Sequence, residues 1–332
     1  MSKTPKADRN VPSVSAEPSN TDHITRFLLS GKTIRGVMLK GTTLVTTMRS
    51  AHQLGVLETL VLGHACLGTS LLCANLKGRD RLSLQIDCSG PIKGLAVDGD
   101  AALNIVGYLK TVPIPVDKPP ESFDLSPFFG AGFLSITRYL EDAKRPFKGQ
   151  VILKHGNIAE DLTYFYSASE QTPTAFSLSV AFDTEGTVTG AGGMFLQALP
   201  NVADNILSEV ESRVRHQVSL GEAFAAGATC RELIEDTFGP VGPLILDSQP
   251  VQFKCRCTRE RTRRLLALLP IEELRDLCAT GPFPVTLNCR FCGGAYAFDR
   301  SELDRMVRLA EGNLENGNGG ALGAGSSSES PH

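Results

Sequence analysis

The chain has 332 residues, enough for two domains, and its 42% hydrophobic and 21% charged content is that of a soluble globular protein. A formal net charge of -3 carries no overall signature of nucleic-acid binding, and no apolar run approaches the length of a membrane span. We therefore expect neither nucleic acid nor a membrane as a partner. The nine cysteines are odd in number and partly grouped at the spacing of metal ligands. They argue against a secreted disulfide framework and for a cytoplasmic protein in a reducing compartment.

A predicted N-terminal domain spans residues 21–201. Residues 1–20 precede it; they lack the apolar core of a secretory signal and are expected to form a disordered tail. Residues 23–40 predict a strand, a turn and a strand, and leucines at three- and four-residue spacing predict a helix from about Thr43 to Leu76. Alternating apolar and polar side chains over residues 81–112 then predict an antiparallel meander.

The rest of this domain continues the mixture of hairpins and helices. A strand is predicted over residues 149–155, a helix from the N-cap Asn157 to about Gln171, and strands over residues 175–182 and 188–198. This order lacks the regular alternation of a doubly wound sheet, so the predicted class is α+β, with a mixed helix and antiparallel-sheet domain. The run Gly190–Gly193 matches no phosphate-binding fingerprint and predicts a strand against which another backbone packs closely.

Residues 202–254 are predicted to form an amphipathic helical linker. Its apolar positions recur at helical spacing: Ile206, Val210 and Val214, then Leu220, Phe224 and Leu233. Ordinary packing of this apolar stripe on the N-terminal domain is one interpretation. The other is a linker that docks in one state and exposes apolar surface in another. Cys230 within it is expected to be a buried core residue.

Four cysteines define a predicted C-terminal domain of residues 255–311. They form a C-x-C pair and a C-x-x-C pair: Cys255 and Cys257, then Cys289 and Cys292. Four thiolates at this spacing predict a tetrahedral site for one Zn²⁺ per chain. Gly293 and Gly294 directly after the second pair supply the backbone freedom that a zinc knuckle needs.

Two further features lie at this end of the chain. Cys278 falls near the end of a predicted helix and is not assigned as a ligand. A last short helix is predicted to about Leu309, and residues 312–332, which are rich in Gly, Asn and Ser, are expected to be disordered.

The C-x-C pair also has redox chemistry of its own. A disulfide closed across one residue is strained and easily reduced, so the pair can hold metal when reduced and form a reversible disulfide when oxidised. Cations close in sequence are expected to stabilise the thiolates: Lys254, Arg256, Arg259, Arg261, Arg263, Arg264 and Arg290. From the spacing alone, a purely structural zinc knuckle is an equal alternative.

Two other functions compete with a redox switch. The arginines suggest a nucleic-acid-binding zinc protein, against which the acidic overall charge argues. The segment Cys289–Cys292 suggests a thiol oxidoreductase, but the strand and helix that flank such a motif in a thioredoxin-like fold are missing. No G-x-S-x-G and no H-E-x-x-H motif occurs, so no catalytic residue is assigned and no enzyme is expected.

The chain resembles the heat shock protein 33 family of redox-regulated bacterial chaperones over about Thr21 to Leu309. The strongest match lies in the segments FKCRCTRE and NCRFCGGAYAF, where C-x-C, the long spacer and C-x-x-C all agree. Supporting segments are RFLLSGKTIRG, SGPIKGLAV, GQVILKHGNIAEDLTYFYSASEQTPTA and TGAGGMFLQALP. The N-terminal extension, the Gly/Ser-rich tail and Cys278 depart from the family pattern.

The resemblance implies an ATP-independent holdase that binds unfolding and oxidatively damaged proteins and prevents their aggregation. Zinc bound to the four cysteines would keep the reduced form inactive. Oxidation would release zinc, form disulfides Cys255–Cys257 and Cys289–Cys292, and unfold the zinc domain and the linker. The resemblance also implies a homodimer in the oxidised state, with substrate binding and dimerisation in residues 21–201, and transfer of clients to ATP-dependent refolding chaperones.

Overall fold

The computed structural model describes residues 21–116, 124–200 and 202–317, and the chain divides into two compact units after Cys255. The strands in chain order are β1 (His23–Leu29), β2 (Ile34–Lys40), β3 (Arg81–Cys88), β4 (Gly94–Asp100), β5 (Asn104–Leu109), β6 (Gly132–Tyr139), β7 (Phe147–Ile152), β8 (Thr174–Phe182), β9 (Val188–Ala198), β10 (Leu244–Pro250), β11 (Gln252–Phe253), β12 (Val285–Asn288) and β13 (Ala295–Phe298). The helices are α1 (Thr42–His52), α2 (Val56–Cys73), α3 (Ser126–Phe129), α4 (Ile158–Phe165), α5 (Asp204–Arg215), α6 (Leu220–Ala225), α7 (Cys230–Phe238), α8 (Arg259–Leu266), α9 (Ile271–Thr280) and α10 (Arg300–Gly317). This mixture confirms the predicted α+β class.

The first sheet of the large unit has a hydrophobic core on each of its faces. Its five strands are antiparallel and lie in the order β10-β1-β2-β9-β8. Because successive side chains point to opposite faces of a sheet, neighbouring residues of one strand enter different cores. Along β2, Val37 and Leu39 join the larger core, whereas Ile34 and Met38 join a second core on the other face.

The second sheet has the order β11-β5-β4-β3-β6-β7 and is antiparallel except where β11 pairs with β5. Helix α2 packs against strands of both sheets: β2, β8 and β9 of the first, and β3, β4 and β5 of the second. By length and composition α2 could cross a membrane, so the expectation that no apolar run approaches that length is wrong. Since 83% of this helix is buried inside the protein, its apolar composition is that of a core helix.

Helices of the predicted linker cover the second face of the first sheet. Phe224 from α6 and Phe238 from α7 are buried in the core on that face. Helix α6 approaches β9 so closely that a Cβ atom at Gly190 would lie 2.0 Å from the backbone oxygen of Gly221. A Cβ atom at Gly192 would lie 2.2 Å from the ring of Phe224. The glycine-rich run is therefore a strand against which a helix packs closely, which confirms that prediction.

The small unit consists of α8, α9, α10 and the hairpin of β12 and β13. Its core, within the described residues, is formed by six buried side chains: Leu266, Leu274, Cys278, Phe298, Leu303 and Met306. A core this small contributes only a few kcal/mol by itself, so units of this size commonly depend on a metal or a disulfide.

Two expectations for the large unit need correction. The helix predicted over residues 43–76 is two helices, because Gln53 ends α1 with φ 53° and Gly55 precedes α2. Strand β6 was not predicted at all. Apolar side chains occupy both of its faces, since Leu134 is fully buried while Phe133 is 48% exposed, and this obscures the alternation that marks a strand.

The predicted linker and C-terminal tail also need correction. Helix ends at Phe238, and residues 244–253 form β10 and β11, so the expectation of a helical linker up to residue 254 is wrong in its last part. Both strands depend on distant partners, β1 and β5, which local periodicity does not reveal. Helix α10 extends to Gly317, so the prediction that a disordered tail begins at residue 312 places its start too early. Residues 1–20 and 318–332 lie outside the described residues.

Candidate metal centre

The C-x-C pair lies in a short loop whose two ends are fixed by hydrogen bonds. Before it, the Lys254 amide donates to the backbone oxygen of Ile105 on β5, 3.1 Å away. After it, Thr258 caps α8, with its hydroxyl oxygen accepting from the Arg261 amide at 3.1 Å. A threonine cap of this kind satisfies one of the donors that a helix N-terminus leaves unpaired. The loop between these anchors contains Cys255 and Cys257.

The C-x-x-C pair forms the turn of the β12–β13 hairpin. The Cys289 amide donates to the oxygen of Gly294, and the Gly293 amide donates back to the oxygen of Cys289, both at 2.8 Å. Gly293 has φ 68°, a conformation that glycine adopts without strain. The expectation that glycine supplies the backbone freedom of this turn is therefore confirmed at Gly293. This turn brings the sulfur of Cys292 to the same side of the hairpin as the sulfur of Cys289.

The four sulfur atoms converge. Those of Cys255, Cys257, Cys289 and Cys292 all lie within 4.8 Å of one another, and each residue is half-buried. The sulfurs of Cys257 and Cys292 are 3.3 Å apart. Zinc–thiolate bonds of about 2.3 Å at tetrahedral angles place ligand sulfurs roughly 3.8 Å apart, so the geometry and the donor set fit such an ion. The residues predicted as ligands therefore form a group that could hold a metal ion.

A tyrosine that sequence reasoning did not single out contacts this cluster. The Tyr296 hydroxyl donates to the sulfur of Cys257 over 3.0 Å. The pKa of Tyr296 is raised to about 12, first by this hydrogen bond, then by burial and by the charges of the nearby cysteines. The available signal was its position in β13: Tyr296 and Phe298 face inward, two residues apart, directly after the C-x-x-C turn.

Several of the cations expected around the cysteines are engaged by carboxylates instead. Arg259 pairs with Glu302 at 2.8 Å and lies over the Phe298 ring. Arg263 and Arg264 both pair with Glu260, at 2.9 and 3.3 Å. Since these partners offset their charge locally, the basic sequence around the cysteines overstates the positive field that the thiolates experience.

Four of the five cysteines outside the cluster are buried core residues, and Cys88 is half-buried. Cys278 is buried in the small unit, where burial and then Asp304 raise its pKa. Cys230 is fully buried beneath the linker helices. In the large core, burial raises the pKa of Cys66 to about 12 and also raises that of Cys73. A raised pKa leaves little thiolate at neutral pH, so these sulfurs are poor metal ligands and poor nucleophiles.

The comparison with known families decides the classification of this chain. The family model described as Hsp33 protein matches residues 22–299, a span that contains both sheets, the linker and the four cysteines. The chain belongs to the Hsp33 family. Membership makes it a chaperone, with unfolded proteins as partners, and confirms the resemblance seen in the sequence.

Individual relatives agree over nearly their whole lengths. The chain is 32% identical to the 33 kDa chaperonin of Lachnoclostridium phytofermentans, over 86% of this chain and 98% of the relative. It is 33% identical to the 33 kDa chaperonin of Desulforamulus reducens, over 87% and 98%. The crystal structure of the Hsp33 homologue from Thermotoga maritima superposes with a TM-score of 0.80 at 28% identity, covering 88% of this chain and 100% of that one.

Proposed function

We propose that this chain is a redox-regulated, ATP-independent holdase, which binds unfolding and oxidatively damaged proteins and prevents their aggregation. The observation that carries the proposal is the four-cysteine cluster, which follows directly on a linker that covers an apolar sheet face. Family membership supports the chaperone activity. The chemistry of the cluster supports the control by oxidation.

In the reduced, inactive state the four cysteines of the cluster would hold one Zn²⁺. When bound, the ion would supply a tetrahedral tie between the C-x-C loop and the C-x-x-C hairpin. Structural zinc contributes about 10–16 kcal/mol in finger peptides, which is comparable to the roughly 5–15 kcal/mol stability of a whole domain. The six buried side chains of the small unit provide far less, so its fold would depend on this tie.

Oxidation by a peroxide would remove the thiolates that the metal needs. In each pair, two thiolates lose two electrons and form one S–S bond. The O–O bond of the peroxide breaks, takes up those electrons with two protons, and gives two waters. The pairs that the family resemblance implies are Cys255 with Cys257 and Cys289 with Cys292. Four sulfurs in two disulfides offer no thiolate ligand, so the metal would be released and the small unit would unfold.

Disorder in the small unit would spread to the linker through the short strand β11, which pairs with β5. Only two residues, Gln252 and Phe253, pair with β5, and Cys255 lies two positions further along the chain. Backbone hydrogen bonds of 3.1 Å from Gln252 and Lys254 hold this segment to the edge of the second sheet. A pairing so short is easily disrupted when the adjoining loop becomes disordered.

Release of the linker would uncover the client-binding surface. The second face of the first sheet has apolar side chains that α5, α6 and α7 now cover, among them Phe27, Met38, Met194 and Leu196. A continuous apolar patch is what a holdase needs to retain unfolding proteins, and methionine adapts well to varied partners. This surface, rather than a catalytic group, would carry the activity.

The other parts of the proposal follow from the family resemblance. Residues 21–201 would bind clients and form a homodimer after oxidation, residues 202–254 would be the redox-sensitive linker, and residues 255–311 the switch. Clients would pass to ATP-dependent refolding chaperones. The protein would act in the cytoplasm and have no enzymatic activity.

A paired measurement tests this function. Reduced, zinc-loaded protein is treated with hydrogen peroxide while zinc release and the light scattering of a thermally unfolding client are followed together. We expect about one zinc per chain to be lost, with a parallel gain of client protection that thiol reductant reverses. Zinc that stays bound, or that leaves without any gain of protection, would contradict the proposal.

A further inference from the structure

The hydroxyl of Tyr296 connects the two halves of the cysteine cluster. Tyr296 belongs to β13, on the hairpin that carries Cys289 and Cys292, whereas its hydrogen-bond acceptor Cys257 belongs to the C-x-C loop. The O–S distance of 3.0 Å is short for a hydrogen bond to sulfur. The ring itself packs against the core of the small unit, so the hydroxyl is the part of this side chain that reaches the cluster.

We propose that Tyr296 is a positioning residue of the metal centre, which holds the Cys257 sulfur in place and lowers its reactivity toward peroxide. This inference rests on the proposed metal-bound state. A thiolate attacks an oxidant with a lone pair, and a lone pair that accepts a hydrogen bond is a weaker nucleophile. The same bond adds to the interactions that keep the C-x-C loop against the hairpin.

The step that Tyr296 would slow can be written for one pair. The sulfur of Cys257 attacks a peroxide oxygen, an S–O bond forms, the O–O bond breaks, and the departing hydroxide takes a proton to become water. The sulfur of Cys255 then attacks the resulting sulfenic acid, forming the S–S bond and releasing a second water with one more proton. Slower first attack means that more peroxide is needed before the cluster opens. Tyr296 would thus set the oxidant threshold of the switch.

The substitution Tyr296→Phe tests this directly, because phenylalanine fills the same core space and lacks only the hydroxyl. Full-length protein is loaded with Co²⁺, whose thiolate charge-transfer absorption reports the electron density on sulfur. We expect this absorption to move to longer wavelength and peroxide-driven metal release to become about fivefold faster. Tyr164→Phe, which removes a hydroxyl from α4 in the large unit, is the matched control and should change neither.

Alkylation by iodoacetamide, scored for each cysteine by peptide mass spectrometry, separates positioning from a general loss of structure. In the Co²⁺-loaded variant, Cys257 should react faster relative to the other three cysteines of the cluster. An unchanged absorption and release rate would overturn the proposal, and so would equal acceleration of all four cysteines. Wild-type protein that binds no Co²⁺ would overturn the proposed metal site together with this inference. If the wild-type protein binds Co²⁺ and Tyr296→Phe behaves like it, only the inference about Tyr296 is overturned.

Discussion

The large unit buries side chains on both faces of its first sheet and around α2, whereas the described part of the small unit buries six hydrophobic side chains between three helices and a hairpin. The first arrangement removes a large apolar surface from water, and such burial stabilises a fold by about 25 cal/mol per Å². The second buries far less, and the four half-buried sulfurs of residues 255–257 and of its hairpin lie within 4.8 Å of one another, where one metal ion could hold them. In the proposed function, one chain would therefore combine a core that resists oxidation with a small unit whose order depends on thiolates.

The cysteines are distributed in the same way. Cys66 and Cys73 are fully buried in the large core, where their raised pKa values keep them as unreactive thiols. Among the described residues, the thiols close enough together to share a metal lie in residues 255–257 and in the β12–β13 hairpin. In the proposed function, an oxidant would act on the cluster and leave the core of the large unit around α2 folded, as a switch with a persistent client-binding surface requires.

The largest expected effect comes from removing two metal ligands with Cys289→Ser and Cys292→Ser together. Loss of the proposed metal would remove about 10 kcal/mol or more from the small unit, which should unfold with the linker while the core of the large unit around α2 keeps its thermal transition. Calorimetry should show one transition missing. Cys88→Ser, at a half-buried thiol of the large unit, is the control and should leave both transitions. If the small unit stays folded without metal, its stability does not differ from that of the large unit in the way we infer.

Truncation of a buried linker side chain should expose the covered face of the first sheet without any change at the cysteines. Phe224→Ala removes a ring that is 4% exposed between α6 and the first sheet, at a cost of about 3–5 kcal/mol. We expect the reduced, metal-loaded protein to bind an unfolding client without oxidant, measured as suppressed light scattering. Val218→Ala, whose side chain is 63% exposed on the same linker, should leave the reduced protein inactive. Equal behaviour of both variants would contradict the role of the covered face.

A smaller effect of the same kind is expected from Gly190→Ala. The added methyl group would meet the backbone of Gly221 and Ala225, so α6 must shift, at a cost of about 1–3 kcal/mol. Client binding by the reduced protein should rise to a level below that of Phe224→Ala. Gly239→Ala adds the same methyl group where no atom lies within 4 Å and should have no effect. If Gly190→Ala also has no effect, the close packing of α6 on β9 is not what keeps the apolar face covered.

The smallest effects compare the same change in the two units. Thr229 caps α7 in the large unit and Thr258 caps α8 in the small unit, and alanine at either position should cost about 1 kcal/mol. Thr229→Ala should lower the melting temperature of the large unit and leave zinc affinity unchanged. Thr258→Ala should weaken zinc affinity about fivefold, because folding of the small unit is coupled to metal binding. Competition with a chromogenic chelator measures both affinities.

Local chemistry made much of the site predictable. The spacing of Cys255, Cys257, Cys289 and Cys292 indicated one cluster, because each short pair brings two sulfurs together and the intervening chain can fold back. Asn157 was recognisable as a helix cap, and its side chain accepts backbone hydrogen bonds. These features depend on neighbours within a few residues, which a sequence displays directly.

Features that depend on distant partners were not predictable. Strands β10 and β11 exist because β1 and β5 offer free edges, and nothing near residue 244 indicates those partners. The charge of Arg259 is offset by Glu302, 43 positions later, so counting cations along the sequence overstated the field at the cysteines. The position of Tyr296 after the C-x-x-C turn indicated an inward-facing side chain, but its hydrogen bond to Cys257 depends on how the hairpin folds back and has no sign in the sequence.

Hydrogen exchange with mass spectrometry tests most directly whether oxidation at the cluster uncovers the first sheet. Reduced, zinc-loaded protein is compared with protein oxidised by peroxide, peptide by peptide. Backbone amides of residues 204–253 and 256–300 should lose protection together, while those of α2 and of strands β3 to β6 stay protected. Loss of protection in residues 256–300 alone, with α6 and α7 still protected, would contradict the account. The metal would then stabilise only the small unit.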